Sequence, residues 1–144
     1  MPRPGTVGWW WAPHSRAALD YGFRQAAIRG DRLSVISALG LPQGWPRHLL
    51  RPVPPDDERV AERRAEIETA LEGLRGTYPD VTVEIEVHHI DPVPTLVDAS
   101  HRADLLVLGS RGHGGFHGLA VGSVTHRLLR LAGCPVAVVN APAT

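Results

Sequence analysis

Between positions 109 and 122, six glycines fall within fourteen residues: Gly109, Gly112, Gly114, Gly115, Gly118 and Gly122. The chemistry they offer is anion binding, phosphate above all. Glycine lets backbone come close to a ligand. Successive loop N–H groups can form an anion-binding concavity. Ser123 follows directly, and Val124, Leu128 and Leu131 then recur at helical spacing. That pattern predicts a helix with Ser123 as its N-cap and Gly133 closing it. A helix start adds unpaired N–H groups and a partial positive charge. One helix end is worth roughly 0.3–1 kcal/mol per charge, whereas micromolar affinity needs about 8 kcal/mol. Several loop N–H bonds and a pocket for the rest of the ligand are therefore required. Charge agrees: no Asp or Glu follows Asp104, while Arg111, Arg127 and Arg130 do. The bland alternative is a plain strand-to-helix connection, and the glycine density speaks against it.

Two familiar phosphate motifs fail. A P-loop needs Lys after its last glycine, and all fifteen basic residues here are Arg. The dinucleotide fingerprint needs G-x-G-x-x-G near the first strand. Gly112 and Gly114 begin that spacing, but position 117 is His and the stretch lies late in the chain. Metal and nucleophile chemistry are weaker still. Of eight histidines, His88 and His89 are adjacent on an expected strand and so face opposite ways, whereas a metal needs converging ligands. His113 and His117 read equally well as phosphate neighbours and as solvated loop residues. No Ser-His-Asp set can be assigned, and Ser123 reads better as cap and phosphate ligand than as nucleophile. Cys134 is the single cysteine. It reads as a buried structural thiol.

Gly109, two residues, Gly112, nine residues, then Gly122-Ser123 resembles the G-2x-G-9x-G-(S/T) nucleotide motif of the universal stress protein family. The flanks DLLVLGSRG and CPVAVV resemble it too. The resemblance spans nearly the whole chain and is weaker toward the start. It implies a doubly wound α/β domain that binds ATP, often as a homodimer. By the same resemblance, phosphates would lie on the backbone of Arg111, Gly112, Ser123 and Val124. Gly109 and Gly122 would permit close approach. Leu108, Ala38, Trp10, Ala12 and Pro13 would line the base and ribose. One departure stands out. Family members carry an acidic residue after the first strand, in a V-D-G-S-like pattern; aligned through 15–19, this chain has Trp10 there. Its loss counts against a magnesium-dependent site and against hydrolysis. The block of Trp9, Trp10 and Trp11 reads either as an aromatic platform for a base or as core packing.

These residues need elements to hold them. The apolar run 105–108, ending at Gly109, reads as a parallel strand buried on both faces. Upstream, 6–10 reads as a first strand. A helix over about 16–28 follows, with Leu19, Phe23, Ala26 and Ala27 inward. Gly30-Asp31 turn the chain into a second strand at 32–39. Five prolines between 40 and 55 indicate a surface loop. A long helix over about 57–75 follows, with Val60, Ile67, Leu71 and Leu74 inward and Glu62, Arg63, Arg64 and Glu66 on a solvated face. The stretch 81–87 alternates Val83, Ile85 and Val87 with Thr82, Glu84 and Glu86, as an edge strand wet on one side would. Asp91-Pro92 opens a short helix to about 101. Alternating strands and helices predict one doubly wound domain over 1–144, with a five-stranded parallel sheet in order 3-2-1-4-5 and helices on both faces. A ligand crevice then belongs between strands one and four.

The chain of 144 residues carries zero formal net charge, which argues against general nucleic-acid or membrane-surface binding. No apolar run reaches membrane-spanning length, and the start lacks a signal-peptide h-region. The expected location is the cytoplasm. The reading at this level is an ATP-binding regulator or sensor in stress response, expected to pair through 136–139 as a homodimer. The rival is a dimeric interaction module that has lost nucleotide binding because of Trp10. A slow ATPase is a third class, for which no general base is visible.

Overall fold

The computed structural model describes residues 5–10, 16–39, 58–88, 91–109 and 123–139. Within them the chain runs β1 (Thr6–Trp10), α1 (Arg16–Arg29), β2 (Arg32–Ala38), α2 (Glu58–Thr77), β3 (Val83–His88), α3 (Pro92–Ser100), β4 (Leu105–Gly109), α4 (Ser123–Leu131) and β5 (Val136–Val139). The expected proline-rich loop at 40–55, the first loop and residues 110–122 lie outside the described residues.

The five strands pair in parallel in the order β3-β2-β1-β4-β5. Right-handed crossovers from β1 to β2 to β3 place α1 and α2 on one face; the return to β4 and β5 places α3 and α4 on the other. The core accordingly has two layers. Val7, Trp9, Leu33, Val35, Leu105 and Val107 pack with α1 and α2 through Leu19, Phe23, Ile67 and Leu71. Phe23 also stacks on Tyr78 at 5.6 Å. On the other face Ile36, Leu106 and Leu108 pack with Leu96 and Ala99 of α3 and Leu128 of α4. All five residues of β4 are buried, as its unbroken apolar run requires. β3 lies at an edge, with Glu84 exposed. One turn shows why glycine is needed: Gly30 has φ +69°, and the next N–H, of Asp31, donates to the Ala26 carbonyl at 2.9 Å. That is the bond of a Schellman-type helix end.

Several expectations are corrected. Ala27 is exposed, beside Ile28 at 72% exposure; Gly22 joins the inward stripe of α1 instead. Leu131 is half exposed. Thr125, three residues before Leu128, shares the inward face of α4. Gly133 does not close α4 in the left-handed region, for Gly30 alone of the described glycines has positive φ. Its N–H donates to Ser100 Oγ at 2.8 Å, and an added Cβ would run into the His101 ring; crowding excludes a side chain there. Asp91 occupies the N-cap of α3 without a side-chain capping bond, while its carbonyl accepts from the Thr95 hydroxyl. Two arginines of the supposedly solvated face of α2 reach back to the sheet. Arg63 donates to Ser37 Oγ at 2.7 Å and Arg64 to the Ile85 carbonyl at 3.3 Å. Long stems allow this while the helix surface stays wet. Cys134 is half-buried, not buried, and packs at the margin of the second core layer.

Candidate functional site

In a parallel sheet all carboxyl ends share one edge. Trp10, Ala38, His88, Gly109 and Val139 therefore end their strands at the same side of the molecule. The decisive geometry is between β1 and β4. At their amino ends they are clamped: the Asp104 N–H donates to the Thr6 carbonyl at 2.8 Å, and the Thr6 N–H donates to Asp104 Oδ2 at 2.9 Å. Their register runs from Val7↔Leu105 to Trp9↔Val107. Yet β1 stays paired with β2 through Trp10↔Ile36, and β4 with β5 through Gly109↔Val139. Among the described residues, β1–β4 pairing is thus clamped at one end of the seam and runs no further than Trp9↔Val107 at the other, at the point where strand order reverses. Such seams are where α/β sheets receive ligands.

α4 is delivered to that seam. Ser123 is its first residue. Thr125, 1% exposed, donates from Oγ1 to the Gly109 carbonyl at 3.0 Å. The first-turn N–H groups of an α-helix have no partners within it, and the positive end of the dipole lies there. Val124 is half-buried against the α3–α4 core layer, and Leu108 is fully buried within it. Ala38 is half-buried at the end of β2, paired with His88. Trp9 is core, at 1% exposure, so one member of the tryptophan block serves packing. The structure therefore gathers Trp10, Ala38, Leu108, Gly109, Ser123 and Val124 at the carboxyl edge. Arg111, Gly112, Gly122, Ala12, Pro13, Trp11, His89, His113 and His117 lie outside the described residues.

Thr125 escaped the sequence reading, because a threonine two residues into a helix has no fixed role. The available signal was its place three residues before Leu128, on the inward stripe.

A cleft of about 450 Å³ opens at the opposite, amino-terminal edge, lined by Thr6, Gly8, Arg32, Ser34, Glu84 and Asp104 among others. Its acids have partners: Glu84 faces Arg32 at 3.3 Å, and Asp104 holds the Thr6 N–H. Neighbouring Cys134 has its thiol pKa pushed up, first by burial and then by the Asp104 charge. That thiol stays protonated and a poor nucleophile near neutral pH. Among the described residues, no group of three His, Cys, Asp or Glu is placed to hold a metal ion. No described helix is long and apolar enough to cross a membrane.

A doubly wound parallel sheet, with a helix start brought to the switch point after a glycine-rich segment, places the chain among α/β proteins built to present a crevice at their strand ends. The sequence profile of the universal stress protein family matches residues 12–140, and the chain belongs to that family. A universal stress protein of Mycobacterium bovis is 32% identical over 96% of this chain and 44% of its own length. One of Mycolicibacterium smegmatis is 34% identical over 90% of this chain and 42% of its own length. The chain therefore spans less than half the length of these relatives. Solved folds agree: a universal stress protein in complex with cAMP superposes with TM-score 0.70 at 22% identity, covering 98% of this chain and all of the other. One from Archaeoglobus fulgidus in complex with dAMP gives 0.66 at 18% identity, over 96% and 98% of the two chains.

Proposed function

We propose that this chain, as one domain over 1–144, binds an adenine nucleotide, ATP, in the crevice between β1 and β4, and that it acts as a cytoplasmic regulator or sensor in stress response. The observation that carries the reading is the seam: β1 and β4 part after Trp9↔Val107 while α4 begins against Gly109. The N–H groups of Ser123 and Val124 then suit phosphate oxygens, with Arg111, Gly112 and Gly122 contributing backbone and Ala38, Leu108, Ala12 and Pro13 the base and ribose side. The cAMP and dAMP bound by fold neighbours support the adenine preference. Hydrolysis is not part of the proposal, since no general base is identified among these residues. The pairing unit is a homodimer through β5.

Gly122→Val puts a branched side chain where backbone must approach phosphate. ATP titrated calorimetrically against both forms should bind the wild type and not the variant. Equal affinity would overturn the reading. A second reading has one specific feature in its favour: Trp10 stands where the family resemblance implies an acid, as it would in an interaction module that had given up nucleotide. Mass spectrometry of the purified protein for co-purified adenine nucleotide separates the two.

A further inference from the structure

We propose that Thr125 is a positioning residue of the nucleotide site, holding the first turn of α4 in register with the end of β4; this rests on the nucleotide-binding reading above. Its Oγ1 donates to the Gly109 carbonyl at 3.0 Å across sixteen residues of sequence, and its side chain is 1% exposed.

The bond is not what a helical threonine makes by default. Threonine hydroxyls in helices ordinarily turn back to the carbonyl four residues earlier. Thr69 does so to Ala65, Thr77 to Gly73 and Thr95 to Asp91. Among the described helical threonines, Thr125 alone donates to a strand. Position 125 lies in the first turn, so its own helix offers no carbonyl four residues back. The Gly109 carbonyl, for its part, ends a strand on the side of the seam where β1 has parted from β4.

Two consequences follow for an anionic ligand. The bond fixes the distance from Gly109 to the N–H groups of Ser123 and Val124, which are two and one residues away from Thr125. It also engages the Gly109 carbonyl oxygen, an electron-rich group beside the start of α4. Positioning of this kind matters because preformed donors avoid an ordering cost on binding. The hydroxyl touches no ligand itself; it acts through the backbone at both ends.

Thr125→Val tests this, being nearly isosteric and lacking only the hydroxyl. Thr125→Ser keeps the donor. Affinities for ATP and for adenosine are measured by calorimetry well below each variant's melting temperature. The Val variant should bind ATP about three- to tenfold more weakly, with adenosine affinity unchanged, because adenosine has no phosphate for the α4 N–H groups. The Ser variant should bind ATP within about twofold of wild type. A merely structural role would weaken both ligands alike, and that result overturns the assignment. So does equal ATP affinity for wild type and Val, or a Ser variant as weak as Val. If the Val variant does not fold, Thr125→Ala removes the same hydroxyl without the branched bulk and is read by the same criteria. A wild type that binds adenosine but not ATP overturns the ATP reading and, with it, the Thr125 assignment that rests on it; only the variant results above bear on Thr125 alone. A wild type that binds neither overturns the nucleotide reading and this one with it.

Discussion

Trp10 stands where the resemblance to the family implies an acidic residue, and it closes β1 at the mouth of the seam. A carboxylate there could share in holding a divalent cation; an indole cannot. An indole can stack on a base, worth roughly 1–3 kcal/mol in single-strand nucleic-acid binders. ATP binding should therefore change tryptophan fluorescence and differ little between magnesium and chelator. Trp10→Asp should weaken binding and make it magnesium-sensitive. If instead the wild type binds nothing and Trp10→Asp recovers magnesium-dependent binding, the indole blocks the site. At this scale the sequence was legible where spacing alone carries meaning: it put Gly109 at the end of a buried strand and Ser123 at the start of a helix, and the structure has both there. It was not legible where a role depends on a partner far along the chain. Thr125 and Gly109, or Ser100 and Gly133, meet only because α4 lies against β4 and α3. Cys134 looked buried from its apolar neighbours, yet local composition does not tell how near the sheet margin a residue falls.

Among the described residues, periodicity identified all nine elements, and the expected boundaries differ from those observed by two residues or fewer. What it missed lay at helix flanks. A residue just off the stripe, such as Ala27, differs from Ala26 by one step of about 100°, and composition cannot say which side of that step faces the sheet. Arg64 is exposed as expected, whereas Arg63 was misplaced because charge predicts where a guanidinium ends, not how far its stem bends back. The helices also yield a paired prediction about glycine. Gly30 needs its positive φ to end α1, so Gly30→Ala should cost about 1 kcal/mol. Gly73, exposed in α2 with open space around a would-be Cβ, carries no such requirement. Gly73→Ala should stabilise by about 0.4–1 kcal/mol. Urea denaturation of the two single variants checks both signs. A stabilising Gly30→Ala would show that the turn after α1 does not depend on the left-handed conformation.

The two edges of the sheet are built differently, and the difference bears on assembly. β3 carries Glu84 and Glu86 on one side, ion-paired with Arg32 and Arg102. Charges of this kind protect an edge from pairing with another chain. β5, reading VAVV, carries none, and all four of its residues are half-buried. An apolar, uncharged edge strand is a template for a second strand, and in a closed two-fold pair that strand is another β5. The relatives run to more than twice the matched length; for this chain, the proposed homodimer would pair β5 with the β5 of a second copy. Sedimentation at micromolar concentration should give twice the chain mass for wild type. Val138→Lys places a charge on β5 at the register position opposite Leu108 and should give the monomer. Glu84→Gln on the other edge should leave the dimer intact. Melting curves of both variants distinguish lost pairing from lost folding: a folded Val138→Lys monomer locates the contact at β5. A wild-type monomer refutes the dimer, and dissociation by Glu84→Gln with Val138→Lys still dimeric would move the interface to β3.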